Sequence, residues 1–265
     1  KYGLKNGIAV VKQQSANLSG EIVIASEVEY NSKTFKVTTI GKDAFYHCEK
    51  ITSIIVPEGV KEIEDEAFSY CSNLVQVSLP DSVTTIGIRT FYHCKSLKNI
   101  RLPANIKILT EYMFAGCNAF AEFEVPSTVT TININALGVC GNLISVTIPK
   151  SVTTISKEAF YNSKKVILYC EAESKPSGWE SDWDLSFGYS GVEKTYFPVV
   201  WNYKNNDLAN DGYRYIKVDN LRYSLKDGVV TVYKQSIYLT GSIVIPKTIT
   251  YKGSTYNVNG IVSAA

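Results

Sequence analysis

The sequence predicts a β-rich α/β solenoid, a stack of 23-residue coils that each hold a strand, a corner, a second short strand and a short helical turn. Three observations carry this. Cys48, Cys71, Cys94, Cys117 and Cys140 stand 23 residues apart, with Ser163 next in line. Pro57, Pro80, Pro103, Pro126 and Pro149 keep the same step. So do two apolar rows: Phe45, Phe68, Phe91, Phe114 and Phe160, with Leu137 in the gap, and Ile40, Ile63, Ile86, Leu109, Ile132 and Ile155. A fixed period in this range marks units that cannot bury an apolar face alone and so stack on their neighbours.

One unit reads LVQVSLPDSVTTIGIRTFYHCKS, Leu74 to Ser96. Val77, Ser78 and Leu79 alternate at period two, as a strand does. Pro80 ends the ladder because it has no N–H and fixes its own φ. Val83 to Ile86 reads as a second β segment, and the IRTFYHC stretch as the helical turn that returns Phe91 and Cys94 to the core.

This pattern resembles the BspA-like, or Treponema-type, leucine-rich repeat family, whose unit is approximately LxxIxIPxxVxxIxxxAFxxC. The resemblance spans about Ile40 to Ala172, and CEAESKPSGWESDW, Cys170 to Trp183, resembles the closing segment that follows the last repeat in such proteins. It implies a leucine-rich repeat fold and a bacterial cell-surface protein that attaches to host matrix, other cells or glycans.

The ends of such a stack need covers. Upstream, Glu21 to Ala25 reads as a strand and Val28 to Ile40 as a hairpin turning at Asn31 to Lys33. Downstream, Trp179, Trp183, Phe187, Tyr189, Tyr196, Phe197 and Trp201 form an aromatic segment. It reads as a cover for the last coil or as a platform for stacking on sugars. The chain's end also repeats its beginning at an offset of 221 residues: YGLKNG at Tyr2 matches YSLKDG at Tyr223, LSGEIVI at Leu18 matches LTGSIVI at Leu239, and Ile40 pairs with Ile261. The expected organisation is a leucine-rich repeat domain over 1–205 (N-terminal cap 1–39, repeats 40–172, C-terminal cap 173–205). Residues 206–265 then hold a linker and the start of a second, truncated array.

Composition narrows the function classes. The chain has 265 residues with 27 Lys and Arg against 25 Asp and Glu, and no basic block that would point to nucleic acid. Its apolar runs fall far short of the roughly 20 residues of a membrane helix, and no signal-peptide pattern opens it.

His47 and His93, the only histidines, stand beside Cys48 and Cys94. A nucleophilic Cys with a His base is one possible chemistry. Tyr70, Gly116 and Val139 hold the same position beside the other cysteines, however, so the Cys belongs to the architecture and the His to a turn at the solvent edge. At a strand spacing of roughly 4.8 Å per coil the two histidines lie about 10 Å apart, too far to share a metal. The cysteines are expected as free, buried thiols, because parallel stacking resists disulfide geometry. No phosphate loop or serine nucleophile motif occurs. No catalytic residue, cofactor or metal is expected.

A stacked sheet presents its outward positions as columns. One reads Ser53, Gln76, Asn99, Glu122 and Ser145, and the next Ile55, Ser78, Arg101, Glu124 and Thr147. A varied face on a uniform scaffold suits a macromolecular partner, here a protein or glycan on host or neighbouring cells, and these residues are the expected contact positions, with Arg101 beside Glu124 as a cross-strand pair. The functional expectation is a non-enzymatic extracellular or cell-surface adhesion protein. The alternatives are a structural spacer between arrays and a glycan-binding or glycan-processing module using the Trp-rich segment.

Overall fold

The computed structural model describes residues 1–163, 165–187, 194–203, 214–218, 221–226, 229–232, 247–251 and 254–261. Five strands open the chain: β1 (Tyr2–Lys5), β2 (Ile8–Val11), β3 (Ser19–Val23), β4 (Glu27–Tyr30) and β5 (Lys33–Ile40). The coils follow with β6 (Lys50–Ile55) and β7 (Glu62–Ile63), then β8 (Gln76–Ser78) and β9 (Thr85–Ile86). The next coil has only β10 (Ile108–Leu109), before β11 (Glu122–Glu124) and β12 (Thr131–Ile132), β13 (Ser145–Ile148) and β14 (Thr154–Ile155), and β15 (Ile167–Cys170).

Two parallel ladders result. The short strands pair coil on coil, Ile40 with Ile63 and Ile63 with Ile86, then Leu109 with Ile132 and Ile132 with Ile155. The longer strands pair β3 to β6 to β8 and β11 to β13 to β15. Between these two runs, Asn99 to Arg101 forms no strand. At the corner between the long-strand and short-strand positions of each coil, the carbonyls of Pro57, Pro80, Pro103, Pro126 and Pro149 accept the N–H three residues on, from Val60, Val83, Ile106, Val129 and Val152. Proline's missing donor is harmless there, and its carbonyl closes the turn.

The expected helical turn is not a helix. Within residues 41–48, Ala44, Tyr46 and Cys48 donate to the carbonyls of Gly41, Asp43 and Phe45 in overlapping three-residue turns. The alternate amides of Asp43, Phe45 and His47 leave the coil and donate to Asp65, Ala67 and Ser69 of the next one. A helix keeps every amide for the residue four back. Here half of them join coils, and the chain manages this by turning left-handed at two positions per coil. Asp43 and His47 have φ of 55° and 56°, and Glu66 and Tyr70 of the next coil 55° and 60°. No helix occurs among the described residues, and none is long and apolar enough to cross a membrane.

Inside, Phe45, Phe68, Phe91 and Phe114 stack with ring centroids 5.5 Å apart at each step. Burying each ring stabilises by roughly 2–3 kcal/mol and the stacking adds about 1. Where Leu137 interrupts the row, Phe120 and Phe123 tilt against Phe114 at 5.6 and 5.3 Å.

Past the last regular coil, Trp179 bridges Ile155 in the short-strand ladder, and Trp183 meets Phe160 edge-on at 6.4 Å. Residues 173–187 therefore run as one more, irregular coil, with indoles where earlier coils carry Ile and Phe. Further on, β16 (Leu185–Phe187) pairs with β17 (Thr195–Tyr196), and β18 (Val199–Val200) joins β15. Tyr189, one of the aromatics noted in this segment, lies outside the described residues.

The end of the chain comprises β19 (Arg214–Val218), β20 (Leu221–Lys226), β21 (Val229–Val232), β22 (Thr248–Tyr251) and β23 (Ser254–Ile261). The last four reproduce the register of β1, β2, β4 and β5, and β21, β22 and β23 also match β2, β4 and β5 in both boundaries. Tyr2 pairs with Val11 as Tyr223 does with Val232, and the slip between Ala9 and Val10 recurs between Val230 and Thr231. β4 and β5 form the expected hairpin, Tyr30 facing Lys33 across Asn31 and Ser32.

Candidate binding surface

The turn face comes first, because it holds the residues that could do chemistry. All six cysteines are free and buried. Each coil's thiol has one partner in the coil before: Cys71, Cys94, Cys117 and Cys140 donate Sγ–H to the carbonyls of Phe45, Phe68, Phe91 and Phe114 at 3.2–3.3 Å. Ser163 continues the row, its hydroxyl donating to Leu137 at 2.8 Å. Burial raises every one of these thiol pKa values, that of Cys140 to about 12. They stay protonated, which their donor role requires and which removes them as nucleophiles.

His47 and His93 do not meet each other; Tyr70 lies between them. The His47 and Tyr70 rings stack at 4.5 Å and 6°, the Tyr70 and His93 rings at 5.2 Å and 4°. Beyond His93 the column meets Gly116, whose absent Cβ would sit 2.9 Å from His93 Nδ1, so only glycine leaves room for the ring. Burial, and secondarily Lys95, holds the His93 pKa below its usual value. Tyr46 and Tyr92 stand perpendicular to this pile, at 5.8 and 5.3 Å from Tyr70, and Arg89 lies 5.1 Å over Tyr112. The result is a half-exposed ridge of rings over four coils. The 23-residue spacing puts His47, Tyr70 and His93 in one column; that their rings stack face to face is a property of three coils together.

The sheet face differs from expectation in three places. Gln76, Ser78, Glu122 and Glu124 are exposed on strands, as is Ile55. Asn99 and Arg101 are exposed but belong to no strand, and Arg101 does not pair with Glu124. Its guanidinium donates instead to both carboxylate oxygens of Asp81 at 3.0 and 2.9 Å. The same carboxylate accepts the Ala104 amide, and the Asp81 carbonyl accepts the Asn105 side chain. Arg101 and then the Ala104 amide hold the Asp81 pKa below its usual range. At the far end the column closes: Ser145 is only 7% exposed and Thr147 is half-buried, and their next neighbours Ile167 and Tyr169 are buried. The outward face thus runs from Ser53 to Glu124 and then goes under cover. Ser53 itself donates to Glu21. Among the described residues no three His, Cys, Asp or Glu side chains converge as a metal site would require.

The coil geometry and the stacked Phe and Cys rows match a known repeat: the model of the BspA type leucine-rich repeat region fits residues 38–167 in six copies. This array belongs to the BspA-type leucine-rich repeat family. Among solved structures, the BspA-type array is similar to a T. pallidum leucine-rich repeat protein at 23% identity and a TM-score of 0.58, over 63% of this chain and 77% of that one. A leucine-rich cell surface protein of Faecalibacterium prausnitzii matches at 21% identity and TM-score 0.59, over 87% of this chain and 58% of its own. A leucine-rich repeat protein from Bacteroides ovatus matches at 27% and 0.51, over 67% and 55%. The chain thus spans little more than half the length of the last two. No curated protein matches it.

Proposed function

We propose that the protein is a non-enzymatic cell-surface or secreted binding protein that holds a protein or glycan of a host or neighbouring cell along its repeat array. The observation that carries this reading is the contrast between an unvarying coil and a varied exposed face. Ile55, Gln76, Ser78, Asn99, Arg101, Glu122 and Glu124 differ from coil to coil on a scaffold whose core rows recur at every step, although the strand itself lapses at Asn99 to Arg101, the arrangement that lets a scaffold present a partner-specific surface. Ser145 and Thr147 sit where that face closes, and we place them at the edge of the contact area. The Faecalibacterium relative, described as a cell surface protein, supports the location. We take 1–205 as one array whose last indole-rich coil is its cover, and 206–265 as the start of another.

The test is binding to matrix proteins and a glycan array. Reversing Glu122 and Glu124 together to Lys should weaken capture at least tenfold, since opposed charges at a contact lose steering and pairing at once. Arg101 is the wrong residue to reverse, because a carboxylate there would face Asp81. Unchanged binding by the double variant would remove this face from consideration.

A second reading, a spacer between arrays that binds nothing itself, is favoured by the recurrence of β1, β2, β4 and β5 in β20–β23. Glycan stacking on the Trp-rich segment is disfavoured by burial: Trp179 and Trp183 are 2% and 3% exposed.

A further inference from the structure

One coil is not held to its neighbours where the longer strand should run. Elsewhere the equivalent backbone is paired: β6 joins β8 and β11 joins β13, and the flanking amides of Val56, Val75, Val125 and Ile144 donate to the carbonyls of Ser78, Thr52, Thr147 and Ala121. Among the described residues, no backbone hydrogen bond reaches Lys98, Asn99, Ile100, Arg101 or Leu102, by amide or by carbonyl. Side chains alone hold the stretch: Leu97 and Leu102 are buried, Ile100 packs against the core, and Arg101 is tied to Asp81. The same stretch is also the basic one. KNIRL, Lys98 to Leu102, carries two cations, whereas the equivalent TSIIV, VQVSL, AEFEV and ISVTI carry none. Lys98, Asn99 and Arg101 are all exposed.

We propose that this stretch is a proteolytic site for a serine protease of trypsin-like specificity, that the bond cut is the one between Lys98 and Asn99, and that the cut leaves the array assembled. Such a protease takes its substrate as an extended strand, pairing with backbone amides and carbonyls around the scissile bond, the groups that ladder pairing occupies in the other coils. Its specificity pocket receives a Lys or Arg on a carboxylate. Among the described coils, this one alone offers a free backbone and a basic side chain together. Lys98 fits better than Arg101. Its ammonium has no ion pair or hydrogen bond among the described residues, and the next residue, Asn99, is exposed. Arg101 is bound to Asp81 and is followed by the buried Leu102. Seating the chain needs a local opening that withdraws Leu97 and Ile100 but breaks no ladder bond. Water then adds across the Lys98 carbonyl C–N bond: Lys98 keeps the new carboxylate, and Asn99 takes the proton as a new amino terminus. The halves stay together because Phe68, Phe91 and Phe114 stack across this coil and the amides of Phe68 and Phe91 donate to Thr90 and Met113. The cut therefore divides the exposed face between β8 and β11 and leaves the core in place.

The experiment is brief digestion of the full chain with trypsin, each cut located by mass spectrometry and its rate divided by that of a synthetic peptide of the same local sequence. Cutting after Lys98 should be about tenfold or more faster than after Lys61 or Lys107, whose carbonyls accept amides of the following coil. The fragment ending at Lys98 should co-elute with the one beginning at Asn99. Glu122 and Glu124 are exposed on the same face but on paired β11, so a glutamate-specific protease should cut there about tenfold more slowly than trypsin cuts at Lys98. Lys98→Gln should slow nicking of the stretch about fivefold or more, since Arg101 is the poorer site. Hydrogen exchange gives a readout without any protease: the amides of Lys98 to Leu102 should exchange about tenfold or more faster than those of Val75 and Val125, which are bonded to neighbouring coils. Equal cutting after Lys98, Lys61 and Lys107, separation of the two halves, cutting at Glu122 or Glu124 as fast as at Lys98, nicking undiminished by Lys98→Gln, or equal amide exchange would each overturn the proposal.

Discussion

At the scale of single residues, the cysteine row is a set of hydrogen-bond donors, and this sets what can replace it. A hydroxyl can make the same bond, as Ser163 does. Cys94→Ser should cost about 1 kcal/mol or less, since it keeps the donor but buries a more polar group. Cys94→Asp places a carboxylate in a fully buried position with a carbonyl as its neighbour and should cost more than about 3 kcal/mol, measured by denaturant unfolding. A folded, stable Cys94→Asp would mean that the row is not in the core. His93 gives the array a dependence on pH. Its native pKa lies below the unfolded value, so between the two the unfolded chain binds the proton and the folded one does not. Stability is therefore highest above the ordinary histidine range of about 6.5 and falls as pH drops through it toward the lowered native value. The thermal midpoint should be lower at pH 5 than at pH 7.5, and His93→Gln should shrink that difference.

At the scale of elements, the weak point of the long-strand ladder lies at Asn99 to Arg101, and Asp81 holds the chain across it. That carboxylate binds Arg101 twice and the Ala104 amide once, so the two ends of the ion pair are not equivalent. Arg101→Ala removes an exposed pair and should leave the thermal midpoint within about 1 °C. Asp81→Ala also strips a backbone amide of its acceptor and should lower it by about 2 °C or more. Equal effects would show that the amide contact is idle. The pairing was not legible in the sequence because Asp81 reaches forward 20 residues, not one full repeat. The strands, corners and core rows were legible, since each is fixed by side chains recurring at 23. The turn was misread for a physical reason. Its apolar spacing resembles a helical one, but where the alternate amides go is decided by the neighbouring coil, which a linear reading does not contain. The pile of His47, Tyr70 and His93 was hidden in the same way, being built from three coils at once.

At the scale of the molecule, each coil touches only its neighbours, so stability is close to a sum of coil and junction terms. All three tryptophans fall between Trp179 and Trp201, at one end. Their fluorescence therefore reports that end alone, whereas circular dichroism reports the whole strand content. The ring stack from Phe45 to Phe114 and the thiol bonds cross every junction up to Cys140, and Trp183 continues the packing against Phe160. The two signals should consequently move together in a denaturant titration. A fluorescence transition at clearly lower denaturant would mark the last coil as a separate unit.

The turn that sends every second amide to the next coil has a mechanical meaning. The bonds joining coils run along the stack, so a load applied to its ends opens them a coil at a time and does not shear many together. Each released coil of 23 residues pays out roughly 75 Å of chain.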